Sequence, residues 1–159
     1  MMVSAYPVEI VITTPVAVAV LEHHGDPALL PDTIGRFIGW RRAVGLPPAV
    51  SATYTVFRCD PAVTPPQAFR LDLCCAVAGE VAPNPQGVRG GQIPGGRRAR
   101  LRVTGGDAAL EAAALFLIRD WLPASGETAG DFPLYCQRLR FPPEVPEAQT
   151  ELDLYLPLR

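Results

Sequence analysis

Shifted by 81 residues, this chain lies over itself. Trp40 falls on Trp121, Tyr54 on Tyr135, Gly25-Asp26 on Gly106-Asp107, and Leu71-Asp72-Leu73 on Leu152-Asp153-Leu154. Ala28, Leu29, Ala43, Gly45, Pro61 and Pro65 also meet residues of their own kind. Self-similarity at a fixed spacing marks a repeated supersecondary unit, and it restricts the fold before any local signal does. Two copies of one unit are expected to pack about a pseudo-two-fold axis, with the surface between them as the natural place for a ligand. Each copy is too short to bury much apolar surface alone. The 159 residues are therefore expected to form a single domain of two repeats, residues 8–79 and 93–158, around one shared core.

Each repeat reads strand, helix, strand, strand. In the first, Glu9 to His23 is rich in β-branched residues, with Pro15 marking a bend or an edge position. Pro31-Asp32 opens a helix in which Ile34, Phe37, Ile38 and Arg41 follow helical spacing, and Gly45 closes it. Ala52 to Arg58 and Phe69 to Val77 are strands, the second apolar on both faces and hence central. Asn84 to Gly96, rich in Gly and Pro, reads as a mobile loop crossing between the repeats. In the second repeat Arg98, Arg100 and Arg102 alternate with Ala99, Leu101 and Val103, the period of a half-buried strand with a solvated arginine face. A helix runs from Ala108 to Trp121 with Leu110, Ala114, Leu117, Ile118 and Trp121 on one stripe, and Pro123 stops it. Phe132 to Arg138 and Glu151 to Leu158 close the repeat. The fold class is α+β: a duplicated βαββ module, mostly antiparallel, with one main helix per repeat.

Composition excludes several classes of function. A net charge of −2 gives no general reason to bind nucleic acid, and no DNA-reading module is visible, so direct nucleic-acid binding is not expected. No run of 18 apolar residues is present, so no membrane span is expected. A signal peptide is not expected either, because the apolar stretch from Val8 lacks a basic flank. Cys59, Cys74, Cys75 and Cys136 have no metal-ligand spacing and read as small thiols in a reducing cytoplasm. His23 and His24 are vicinal and diverge on a strand, so no metal site or other cofactor is expected. Ser4, Ser51 and Ser125 lie in no Gly-x-Ser-x-Gly elbow, and the sequence is poor in nucleophilic chemistry.

The residues left for a ligand are aromatic. On the expected strands Pro133, Tyr135 and Gln137 share one face, and Ala52, Tyr54 and Val56 share the matching face of the first repeat. Tyr54 and Tyr135 offer apolar walls with a polar tip. Trp40 and Trp121 are candidates to lie over a planar ligand. Asp72, Asp153, Glu22 and Glu80 are the acids near strand ends that could face it.

The order of these landmarks resembles the gyrase-inhibitor-like family, which also supplies the effector-binding domain of AraC-type and MerR-type regulators. The likeness runs from Val8 to Leu158. It rests on His23-x-Gly25, the Trp40 helix, Tyr54, Asp60-Pro61, Thr64-Pro65 and Arg70-Leu71-Asp72-Leu73-Cys74. In the second half Ile93-Pro94-Gly95-Gly96, Asp120-Trp121-Leu122-Pro123, Phe132-x-x-Tyr135 and the stretch Asp153 to Leu158 carry it. The resemblance implies a stand-alone cytoplasmic protein that binds a lipophilic or aromatic molecule between its repeats, with a link to transcription regulation. It also implies two alternatives: a protein-interaction module that acts on DNA gyrase or a regulator protein, and a hydrolase of strained electrophiles. The family usually carries a glutamate immediately after the Phe of Phe-x-x-Tyr, and here that residue is Pro133. A cation buried without that counter-charge meets a desolvation penalty of several kcal/mol. Neutral or weakly anionic ligands are therefore expected, and no catalytic residue is assigned.

Overall fold

A computed structural model of the chain describes residues 6–159. In chain order they form β1 (Glu9–Thr13), β2 (Val16–His24), α1 (Leu30–Ala43), β3 (Thr53–Phe57), β4 (Arg70–Ala76), β5 (Arg89–Ile93), β6 (Gly96–Thr104), α2 (Asp107–Leu115), β7 (Tyr135–Arg140) and β8 (Glu151–Pro157). These make two compact units, one of Pro15–Pro94 and one of Gly95–Arg159 with the chain up to Thr14. The fold is α+β, and its strand pairs are antiparallel.

In the Pro15–Pro94 unit the strand order is β3-β4-β2-β5. The apolar β4 lies between β2 and β3, as its two-sided hydrophobicity requires. A one-turn 3₁₀ helix, Pro27–Leu29, leads into α1, and the Asp26 carboxylate accepts from the Ala28 amide at 2.9 Å. Gly45, at φ +73°, ends the helix in a conformation that side chains rarely adopt. The inward stripe of α1 is Thr33, Phe37, Trp40 and Arg41. Ile34 and Ile38, at the neighbouring helical angles, face solvent. Phe37 and Trp40 stack 6.0 Å apart and pack with Ala19, Leu21, Cys75 and Val88 on one face of the sheet. Arg41 is buried with them because its guanidinium is satisfied three times, by Leu46 O (2.7 Å), Thr53 Oγ1 (2.8 Å) and Ser51 O (2.8 Å).

In the other unit the order is β1-β6-β8-β7. The break at Pro15 is real, and it has a consequence for pairing. β1 joins β6 while β2 joins β4 and β5, so the two halves of one apolar stretch belong to different units. Leu110 of α2 and Leu152 of β8 line one hollow, which places the helix on the Leu152 face of the sheet. Ala99, Leu101, Val103, Leu152, Leu154 and Leu156 are buried, together with Ala113 and Leu117 of the helix.

Three expectations change. The helix does not stop at Pro123. It rewinds as a π-helix over Phe116–Trp121, continues as α-helix through Leu122–Ser125 and ends at Gly126. The wider turn breaks the 3.6 period, so Ile118 faces solvent although the regular stripe included it. The expected loop at Asn84 to Gly96 contains β5, which pairs with β2. Its glycines fit a crowded edge: a Cβ on Gly91 would stand 3.0 Å from the Val20 side chain. Arg98, expected on a solvated face, is only 3% exposed.

Candidate functional site

Register decides which residues share a face. In the Pro15–Pro94 unit, α1 covers the side of the sheet that carries Ala19, Leu21 and Cys75. Tyr54 and Val56 pair with Cys74 and Asp72, and those pair with Val20 and Glu22, all on the helix-free side. Trp40 belongs to the helix side, so the structure separates it from Tyr54 and Val56. Asp72 is fully buried on the helix-free side, with Arg58 Nε 2.8 Å from its Oδ2. Its Oδ1 has no hydrogen-bond partner among the described residues.

In the other unit Tyr135 pairs with Tyr155, Gln137 with Asp153, Arg100 with Tyr155 and Arg102 with Asp153. This face is also the helix-free one, opposite Leu152, Leu154 and Leu156. Tyr135 and Tyr155 stack at 5.0 Å with 12° between their planes, and Phe132 meets Tyr135 edge-on at 5.8 Å. Arg98 completes the cluster. Its Cζ lies 5.9 Å from the Tyr135 ring centroid, and its Nε donates to the Tyr135 hydroxyl at 3.2 Å. Burial, then the Asp153 carboxylate, pushes the Tyr155 phenol above its usual range, while a hydrogen bond with Arg100 pulls the other way. Both stacked phenols thus have an arginine beside them. Along the same face Arg102 pairs with Asp153 (2.5 Å) and Glu151 (3.0 Å), and Arg100 with Glu9 (3.3 Å).

Pro133 is not in the β7 strand that carries Tyr135. It lies in irregular chain two residues before β7, because proline has no N–H for the ladder. Tyr135 and Gln137 remain together there. Trp121 is half-buried at the end of the π-wound segment. Asp72 and Asp153 are both held by arginine, and Glu22 pairs with Arg70 at 3.0 Å. Neither Arg98 nor Tyr155 was among the residues expected to face a ligand. The arginine alternation was visible, but period two gives the face of a residue and not what covers it.

His23 is committed to structure. Its Nε2 lies 3.0 Å from Asp26 O and its Nδ1 2.7 Å from Thr33 Oγ1. A carbonyl only accepts, so in the neutral ring Nε2 is the donor and Nδ1 accepts from the threonine. This ties the end of β2 to the start of α1.

Residues 6–159 match the model of the GyrI-like small molecule binding domain. The chain belongs to that family. A GyrI-like relative described as the probable transcriptional regulator YgiV of Escherichia coli K12 is 38% identical over 144 residues, covering 90% of each chain. Among solved structures, the C-terminal domain of EcmrR aligns with a TM-score of 0.78 at 14% identity over 98% of this chain and 99% of that one. SAV2435 bound to tetraphenylphosphonium aligns at 0.53 and 7% identity over 98% and 94%. At such identities the two structures share the fold with this GyrI-like chain. Among its described residues no helix is long and apolar enough to cross a membrane.

Proposed function

We propose that this GyrI-like chain is an effector-binding protein whose ligand is an aromatic molecule with a neutral or anionic polar group, received at the Tyr135–Tyr155 face. The observation that carries the reading is Arg98. A ring face attracts a cation through its quadrupole. Here the chain places its own guanidinium against the Tyr135 ring. A cationic ligand would have to displace or crowd that buried charge, while an anionic group would be attracted by it. Pro133, standing where an acid is usual in the family, supports the same preference. The YgiV relationship supports regulation as the output, and the proposed route is a protein partner. DNA gyrase is one candidate partner, tested by supercoiling assays at stoichiometric protein.

The test is thermal stability against 2-naphthoate, 2-naphthamide and 2-naphthylmethylammonium. A ligand that binds only the folded state raises Tm with concentration. The expected order is naphthoate and naphthamide above the ammonium compound. Equal shifts for all three, or the reverse order, would remove the charge argument. No shift at all would move the function to the protein partner alone.

A further inference from the structure

The Val77–Gln86 segment after β4 contains no helix or strand, yet it is firmly held. Val77 N donates to Ala17 O at 3.0 Å, and Arg36 Nη1 reaches Gln86 O at 3.4 Å. The Asn84 side-chain amide donates to Ala82 O (2.9 Å) and Val88 O (2.8 Å) while its Oδ1 accepts from Val88 N (2.9 Å). Pro83 and Pro85 fix their own φ.

Between this segment and the last turn of α1 lies a cavity of about 440 Å³, within the usual range for a small-molecule site. Trp40, Ala43, Val44, Leu46 and Val81 give it apolar walls, and Glu80 is the one ionisable side chain that lines it. Glu80 has no ion pair among the described residues. The cavity also faces the C-terminal end of α1, the negative end of its dipole.

We infer that this cavity is a second binding site, for a compact organic cation with an apolar body. The apolar part would lie against Trp40 and Val81, and the charge toward Glu80. The site lies within the Pro15–Pro94 unit, on the helix side of its sheet, and shares no residue with the proposed effector site. Its charge preference is the opposite of that site's.

The experiment uses benzyltrimethylammonium and its neutral isostere neopentylbenzene. Trp121→Phe leaves Trp40 as the sole tryptophan reporter, and amide shifts of the unmutated protein provide a second readout. The expected result is saturable quenching of Trp40 by the cation, with shifts at Ala78, Glu80 and Val81. Glu80→Gln should weaken the cation about fivefold and leave the neutral compound unchanged. Ala43→Phe, at an exposed helix position, should block both. Shifts confined to Tyr135 and Tyr155, equal affinity in Glu80→Gln, or no saturable change at millimolar cation would each overturn the inference.

Discussion

The Arg98 guanidinium lies over the ring of Tyr135 and donates a 3.2 Å hydrogen bond to the hydroxyl of the same side chain. The two residues come from β6 and β7, which do not pair with each other but both flank β8. Tyr155 of β8 stacks on Tyr135 from between them. A cation, two phenols and their hydroxyls are thus held together on one face.

Tyr135→Phe keeps the ring and removes the acceptor. Arg98 Nε then loses that bond in a buried place. Destabilisation of about 1–2 kcal/mol is expected, read from urea unfolding at neutral pH. An unchanged midpoint would mean that the bond contributes nothing.

The repeat-related acids predict a contrast. Asp72 is buried against Arg58, whereas Arg102, the partner of Asp153, is 53% exposed and shares its charge with Glu151. Removing a partner from a fully buried carboxylate costs about 3–5 kcal/mol; Asp153, at 11% side-chain exposure against 2% for Asp72, falls between that limit and the roughly 1 kcal/mol of an exposed pair. Arg58→Met should therefore destabilise more than Arg102→Met in parallel melts. Equal effects would contradict the difference in burial.

Much of this was legible in sequence, and the limits have physical causes. The shift that superposes Tyr54 on Tyr135 and Asp72 on Asp153 located the strands, and Pro15 marked the break between β1 and β2. What the alternation could not show is that Arg98 is buried while Arg102 is exposed, because period two describes one strand and not its cover. The π-wound segment before Pro123 was also hidden, since apolar spacing assumes a regular 3.6 turn. β5 looked like a loop because Arg89-Gly90-Gly91-Gln92 has low strand propensity. Packing against Val18 and Val20 overrides that propensity. Trp40 was a candidate to lie over a planar ligand by residue type, and the structure stacks it on Phe37 while it also lines the cavity beside Val81.

Thiol reactivity should be selective. Cys59 is partly exposed, and Cys74, Cys75 and Cys136 are buried. Burial first, then the nearby Asp72 charge, pushes the Cys74 thiol far above its ordinary range. Burial raises Cys75 as well. Both thiols stay protonated, and that contribution to stability is present below the unfolded thiol pKa and is lost as pH rises above it. At pH 8 a disulfide reagent should titrate Cys59 quickly and the other three only after unfolding. Rapid modification of Cys74 would contradict the burial.

At the acid end, Glu127 is held below its usual range by hydrogen bonds from Arg97, at 2.9 Å to each oxygen. A depressed carboxylate contributes stability above its unfolded pKa and loses it as pH falls through the folded value. Glu127→Gln should flatten the fall of Tm on the acid side of the unfolded glutamate range and leave the alkaline side unchanged. An unaltered acid limb would show that the pair is fully screened.

If Arg98 sets the charge preference of the tyrosine face, the protein must distinguish tetraphenylborate from tetraphenylphosphonium. They have nearly the same shape and opposite charge. The measurement is their affinities for the unmutated protein and for Arg98→Met. The account predicts that the unmutated protein favours the anion and that the methionine variant shifts toward the cation by about tenfold. Tighter binding of the phosphonium to the unmutated protein, with the preference unchanged in Arg98→Met, would contradict it.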